Sequence, residues 1–84
     1  MTLYAIKDDL AQGFIQYMPG KELATLRRGL MNVVNSNDSK NLMCTNPEDF
    51  SLYKLGDIND ETGELTSDVK FEFRLSDLVK HDAN

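Results

Sequence analysis

Cationic and aromatic side chains are the residues of this 84-residue chain whose chemistry can serve binding. Cations attract the phosphates of a nucleic acid, and aromatic rings stack on unpaired bases with little regard to sequence. The candidates for such a surface are Lys7, Lys21, Arg27, Arg28, Lys54, Lys70 and Arg74, together with Tyr4, Phe14, Tyr17 and Tyr53. In the alternative interpretation, which composition alone favours, the rings form the core and the cations belong to ordinary solvated faces.

Pairs of adjacent carboxylates could in principle perform acid–base chemistry: Asp8–Asp9, Glu48–Asp49 and Asp60–Glu61. Capping and turn formation explain each pair more simply, and adjacent residues on a strand point to opposite faces. The chain also has no glycine-rich phosphate loop and no nucleophile elbow. We therefore expect no catalytic residues and no enzymatic activity.

The acidic run from residue 57 to 68 invites comparison with a calcium-binding loop. Thr62 occupies the sixth position, where the loop needs glycine, and strand patterns replace the flanking helices. Cys44 and His81 are the only residues of their types, which argues against a zinc site or Cys/His catalysis. We expect no metal and no cofactor, with a plain hairpin turn preferred over calcium.

The charge of the chain is −5 overall and unevenly distributed. Residues 1–45 carry five Lys/Arg against four acids, whereas residues 46–84 carry four against ten. This acidic balance argues against a protein that neutralises packaged nucleic acid, although it leaves room for a local basic face. With no membrane-length apolar run and no signal-peptide pattern, we expect a soluble intracellular protein without membrane association.

The elements that must position these residues follow from hydrophobic periodicity. Alternation and β-rich composition predict strands at 2–7 and 14–18. One amphipathic helix is predicted at about 21–35, followed by an Asn/Asp/Ser-rich loop. Its apolar face is formed by Leu23, Leu26, Leu30, Val33 and Val34.

The second half is organised around residues 46–68. Asn46 and Pro47 predict a capped helical turn, 50–58 a strand, and 59–63 a tight turn closed by a glycine with positive φ. In the last strand, Val69, Phe71, Phe73 and Leu75 alternate with charged residues, which predicts one buried face and one charged face.

Together these elements predict an α+β fold: a small antiparallel sheet of four or five strands with the helix packed on one face. We expect a single domain over residues 1–84, with 80–84 a loose tail. The helix has one apolar stripe and covers only part of the sheet, so the remaining apolar area favours a homo-oligomer.

Residues 46–63, NPEDFSLYKLGDINDETG, resemble the small nonstructural protein of gokushoviruses, single-stranded-DNA phages of the Microviridae. The opening Leu3–Asp8 and the pair Gly13–Phe14 are also similar to that family. The motif residues are Asn46, Pro47, Glu48, Asp49, Phe50, Leu52, Tyr53, Gly56, Asp60, Thr62 and Gly63, and we assign them structural roles. Asn46 stands where the family often has histidine, which removes the motif's only plausible side-chain acid or base.

The resemblance implies a nonstructural protein made in the cytoplasm of the bacterial host. Such proteins are described as DNA-binding, or as acting in the switch from duplex replication to single-stranded DNA synthesis and packaging. The leading hypothesis is an oligomer that binds single-stranded DNA. The alternative is a protein–protein regulator whose acidic hairpin docks on viral or host replication or assembly proteins without contacting DNA.

Overall fold

A computed structural model describes residues 1–80 of the chain. The strands are β1 (Thr2–Asp8), β2 (Gly13–Pro19), β3 (Phe50–Ile58) and β4 (Leu65–Arg74). The helices are α1 (Leu23–Val34) and the single turn α2 (Leu42–Thr45), with short 3-10 helices at Pro47–Asp49 and Leu75–Leu78. The strands form one antiparallel sheet in the order β2-β1-β3-β4, which confirms the predicted α+β fold with four strands.

The core lies between α1 and one face of the sheet. Leu26, Leu30 and Val34 form the buried side of the helix, as the three-and-four spacing predicts. They cluster with residues of the two central strands, of which Ile6 and Leu52 are fully buried. The opposite side of the sheet carries no helix within residues 1–80, and we call it the helix-free face.

The prediction of a single buried face on the last strand was wrong. Leu52 pairs with Phe73, whereas the next residue, Tyr53, pairs with Phe71, so Glu72 is an extra residue in β4. Such a β-bulge breaks the two-residue alternation of side chains. Phe73 therefore packs against the core, while Phe71 is 49% exposed and Val69 is 63% exposed.

The motif segment departs from its predicted capping in one detail. Asn46 precedes the 3-10 helix at Pro47–Asp49, but its side chain makes no capping hydrogen bond. Its Oδ1 instead accepts a hydrogen bond from the Thr45 hydroxyl, while its backbone oxygen accepts one from the Asp49 amide. Because the 3-10 helix is so short, this backbone bond takes up an end amide that a side-chain cap would otherwise satisfy.

The β3–β4 turn closes as predicted. The side-chain oxygen of Asn59 accepts hydrogen bonds from the amides of Glu61 and Thr62, and its backbone oxygen accepts one from the amide of Gly63. Gly63 has φ +76°, a conformation that glycine adopts without steric cost. The local sequence is therefore sufficient to specify this turn.

Asn35 connects the end of α1 to the C-terminal part of the described chain. Its Nδ2 donates to the Met31 oxygen (2.7 Å) and the Leu78 oxygen (2.9 Å), and its Oδ1 accepts from the Lys80 amide (2.9 Å). This last bond fixes the first residue of the predicted loose tail, 80–84; residues 81–84 lie outside the described part of the chain.

No helix within residues 1–80 is long and apolar enough to cross a membrane.

Replacing Asn35 with alanine should lower the free energy of unfolding by about 1–3 kcal/mol, because the partners at Leu78 and Lys80 lose a half-buried hydrogen-bonding group. Urea denaturation followed by circular dichroism measures the change. The matched control is Asn32→Ala on the exposed side of α1, which should stay within about 0.5 kcal/mol of the parent. Equal effects of the two substitutions would contradict the bridging role.

Candidate nucleic-acid interface

Four aromatic rings form a continuous stripe across the helix-free face. Strand register places them together: Ala5 pairs with Tyr17 on one side and Tyr53 on the other, and Tyr53 pairs with Phe71. Phe14 pairs with Lys7 beside them. We call Tyr17, Phe14, Tyr53 and Phe71 the aromatic stripe.

Successive rings of the aromatic stripe are in contact. The centroids of Tyr17 and Phe14 are 6.4 Å apart, and those of Phe14 and Tyr53 are 5.6 Å apart. Tyr53 and Phe71 are also separated by 5.6 Å, and both of these closer pairs meet edge to face. This geometry is favourable for aromatic pairs, so the stripe is held in place by its own packing.

Exposure divides the stripe into supporting and accessible rings. Tyr17 is 59% exposed and Phe71 is 49% exposed, whereas Phe14 and Tyr53 between them are half-buried. A base can stack only on a ring whose face is open to solvent. The two end rings are therefore the better stacking platforms, and the inner rings set their positions.

Lys7 supplies a cation at the middle of the stripe. Its Nζ lies 5.9 Å from the centroid of Phe14 and 5.5 Å from that of Tyr53, which is within cation–π range. Arg74 is exposed and shares the same cross-strand row through Ser51. Ser51 also donates a 2.6 Å hydrogen bond to Asp9, so one carboxylate borders this cationic row.

Other predicted binding residues lie elsewhere. Tyr4 is 8% exposed and belongs to the core on the α1 side of the sheet. Arg27 and Arg28 are exposed on α1, and Lys21 precedes that helix. Since α1 covers the opposite side of the sheet, Arg27 and Arg28 do not share a surface with the aromatic stripe.

Lys54 and Lys70 pair with each other across β3 and β4 but are neutralised by acids. Lys54 Nζ lies 3.1 Å from Asp68 and 3.7 Å from Asp57, and Lys70 Nζ lies 3.5 Å from Glu72. The hydrogen bond to Asp68, followed by the charge of Asp57, raises the pKa of Lys54 above 10.5. Because the pKa of Lys54 is raised in the folded chain, its ion pairs with Asp68 and Asp57 contribute fully to stability below pH 10.5. This contribution is lost as the pH rises through the raised pKa.

Phe71 completes the stripe, although the sequence had placed it in the core. The only signal for its exposure would have been the bulge at Glu72, which no turn-forming residue marks.

The motif residues have mixed positions: Pro47, Phe50 and Leu52 are buried, while Glu48 and Asp60 are exposed. No group of three or more His, Cys, Asp or Glu within residues 1–80 is arranged to hold a metal ion.

The fold and the site together define a small α+β domain that covers one sheet face with a helix and leaves an aromatic-bearing face open. The Phage ORF5 protein family matches residues 1–77, and the chain therefore belongs to this family of bacteriophage proteins. No curated protein and no solved structure matched the chain.

Proposed function

We propose that this phage protein binds single-stranded DNA on the aromatic stripe and acts, as an oligomer in the cytoplasm of the bacterial host, in synthesis or packaging of a single-stranded genome. The observation that supports the proposal is the stripe itself, four contacting rings with Lys7 at their centre. The protein works by binding rather than by catalysis. Large rings left open on a sheet face are typical of single-strand recognition.

The proposed binding mode assigns separate tasks to rings and cations. Bases stack on Tyr17 and Phe71, while the ammonium of Lys7 and the guanidinium of Arg74 contact the phosphates. Stacking contributes about 1–3 kcal/mol per base, and the salt dependence of binding comes from the phosphate contacts. With Lys7 and Arg74 as the two cations that contact phosphates, the logarithm of affinity should fall with the logarithm of salt concentration at a slope of about −1.4.

The stripe variants provide the decisive measurement. Tyr17→Ala and Phe71→Ala should each weaken binding of labelled oligodeoxythymidine by about 5- to 150-fold, because each removes one exposed stacking ring. Fluorescence anisotropy across a salt series measures both the affinity and the slope. Circular dichroism of each variant verifies that the domain is folded.

Two controls match these variants. Leu10→Ala truncates an exposed apolar side chain in the β1–β2 turn, outside the aromatic stripe, and should leave affinity unchanged. Arg28→Glu changes a charge on α1 and should have a smaller effect than Lys7→Glu. If the folded wild type shows no binding at low salt, or if Arg28→Glu weakens binding more than the stripe variants do, the proposed site is wrong.

The alternative function, docking of an acidic hairpin on a replication or assembly protein, is favoured by the exposure of every residue from 59 to 71. The molecule is also elongated, with extents of 51 × 26 × 20 Å. This function predicts that Asp60→Asn with Glu61→Gln reduces phage yield in a complementation assay, whereas Tyr17→Ala does not. The reverse pattern supports DNA binding.

A further inference from the structure

Strand β4 forms an open edge of the sheet. It pairs with β3 on one side, and no described strand pairs with its other side. An edge strand presents unpaired amide and carbonyl groups that can pair with another chain. β4 is also ten residues long and carries exposed Leu65, Val69 and Phe71, so this edge is both extended and apolar.

The charges of β4 are arranged in a self-complementary order. Asp68, Lys70, Glu72 and Arg74 alternate in sign along the strand. When two copies run antiparallel with Phe71 opposite Phe71, Lys70 of each copy lies opposite Glu72 of the other. Opposite charges directly across antiparallel strands are stabilising, and like charges there are destabilising.

From this edge and its charge order, we propose that β4 pairs antiparallel with β4 of a second copy of this chain, about a two-fold axis at Phe71. Lys70 and Glu72 lie on the same side of the strand, since Lys70 Nζ is 3.5 Å from Glu72 Oε1. In the dimer each therefore exchanges its partner within the chain for the equivalent group of the second copy. The exchange keeps both charges paired.

The bulge at Glu72 limits the length of this pairing. It turns Arg74 to the helix-free face, where it shares a row with Lys7, whereas Asp68 points to the side of Lys54. Asp68 and Arg74 therefore do not meet across the axis, and the charge complementarity is confined to the contacts between Lys70 and Glu72 on either side of Phe71. Because bulges shorten regular pairing at an edge, the dimer should be weak and concentration-dependent.

The other sheet edge lacks this complementarity. Strand β2, Gly13–Pro19, contains no charged residue and ends in proline. Proline provides no amide for pairing between strands. The charge order therefore selects β4 over β2 for the second copy.

Pairing at β4 would give one continuous eight-stranded sheet. A two-fold axis perpendicular to the sheet keeps both α1 helices on one side and both aromatic stripes on the other. Phe71 is the ring at the β4 end of each stripe, so the two stripes would meet at the axis. Dimer formation itself does not depend on DNA binding, and its test uses the protein alone.

Charge reversal followed by mixing tests the interface. Lys70→Glu places glutamates opposite each other across the axis, and Glu72→Lys places lysines there, so each variant alone should dimerise about tenfold or more weakly than the wild type. Mixing the two variants should restore dimers, because every contact then joins a glutamate to a lysine. Sedimentation velocity across a concentration series at low salt measures association.

The mixture separates the dimer contact from the ion pair within one chain, because neither variant chain regains an internal Lys70–Glu72 pair. Glu64→Lys, in the turn before β4, is the control and should dimerise like the wild type. A wild type that stays monomeric at the highest concentration overturns the proposal, as does a mixture no more dimeric than its components. Loss of association in Ile15→Lys but not in Lys70→Glu would place the interface on β2 and also overturn it.

Discussion

Replacing Gly56 with alanine should lower the free energy of unfolding by about 3 kcal/mol or more, because an added methyl group collides with the neighbouring strand. A Cβ at Gly56 would overlap the backbone oxygen of Thr66 and would lie 3.2 Å from the Cα of Ser67. The backbone there has φ +155°, which side-chain-bearing residues rarely adopt. Since the obstacle is backbone rather than a flexible side chain, β3 and β4 must separate to accommodate the change.

Gly29 provides the matched control for this substitution. A Cβ at Gly29 meets nothing within 4 Å, and the residue lies inside α1. Gly29→Ala should therefore stabilise the domain by about 0.5–1 kcal/mol, because alanine has the higher helix propensity. Urea denaturation compares the two variants, and a Gly56→Ala domain as stable as the parent would show that the strands do not approach this closely.

Replacing Leu52 with alanine should lower the free energy of unfolding by about 2–5 kcal/mol, through lost apolar burial and the cavity left behind. Leu52 is 0% exposed and lies on β3 within the core cluster beneath α1. In a domain of this size, a loss at the upper end of that range can exceed the whole stability. Thermal and urea unfolding followed by circular dichroism measure the effect.

Leu42→Ala is the corresponding control, because Leu42 is exposed on the short helix α2. Its stability should stay within about 0.5 kcal/mol of the parent. A loss at Leu52 no greater than that at Leu42 would mean that the core is not built around β3. The contrast also tests why the motif contains Leu52, since the expected role is packing rather than contact with a ligand.

Features controlled by neighbouring residues could be predicted from the sequence. The spacing of leucines and valines identified α1, and the Asn59–Gly63 segment identified a turn whose hydrogen bonds are made within that segment. The short helix α2 was missed because it directly follows a run rich in turn-forming residues, 35–41. At the start of that helix, the side-chain oxygen of the N-cap residue Asn41 accepts a hydrogen bond from the Met43 amide, and the same chemistry also favours loops.

The candidate site could be predicted only in part. Lys7, Phe14, Tyr17, Tyr53 and Arg74 were among the residues selected for binding, and they share the helix-free face. Tyr4 lies two residues before Ile6 and therefore on the same face of β1, so it is buried in the core rather than available for binding. Phe71 was assigned to the core because regular alternation predicts the same face as Phe73.

The sequence by itself determined the four strands, the helix α1 and the turn between β3 and β4, because periodicity and turn chemistry act over a few residues. Only the tertiary structure decided which rings meet and which glycine has no room for a side chain. The aromatic stripe depends on strand register and on the extra residue at Glu72, and the constraint at Gly56 comes from Thr66 on the opposite strand. These are relations between residues distant in the chain, and local sequence preferences carry little information about them.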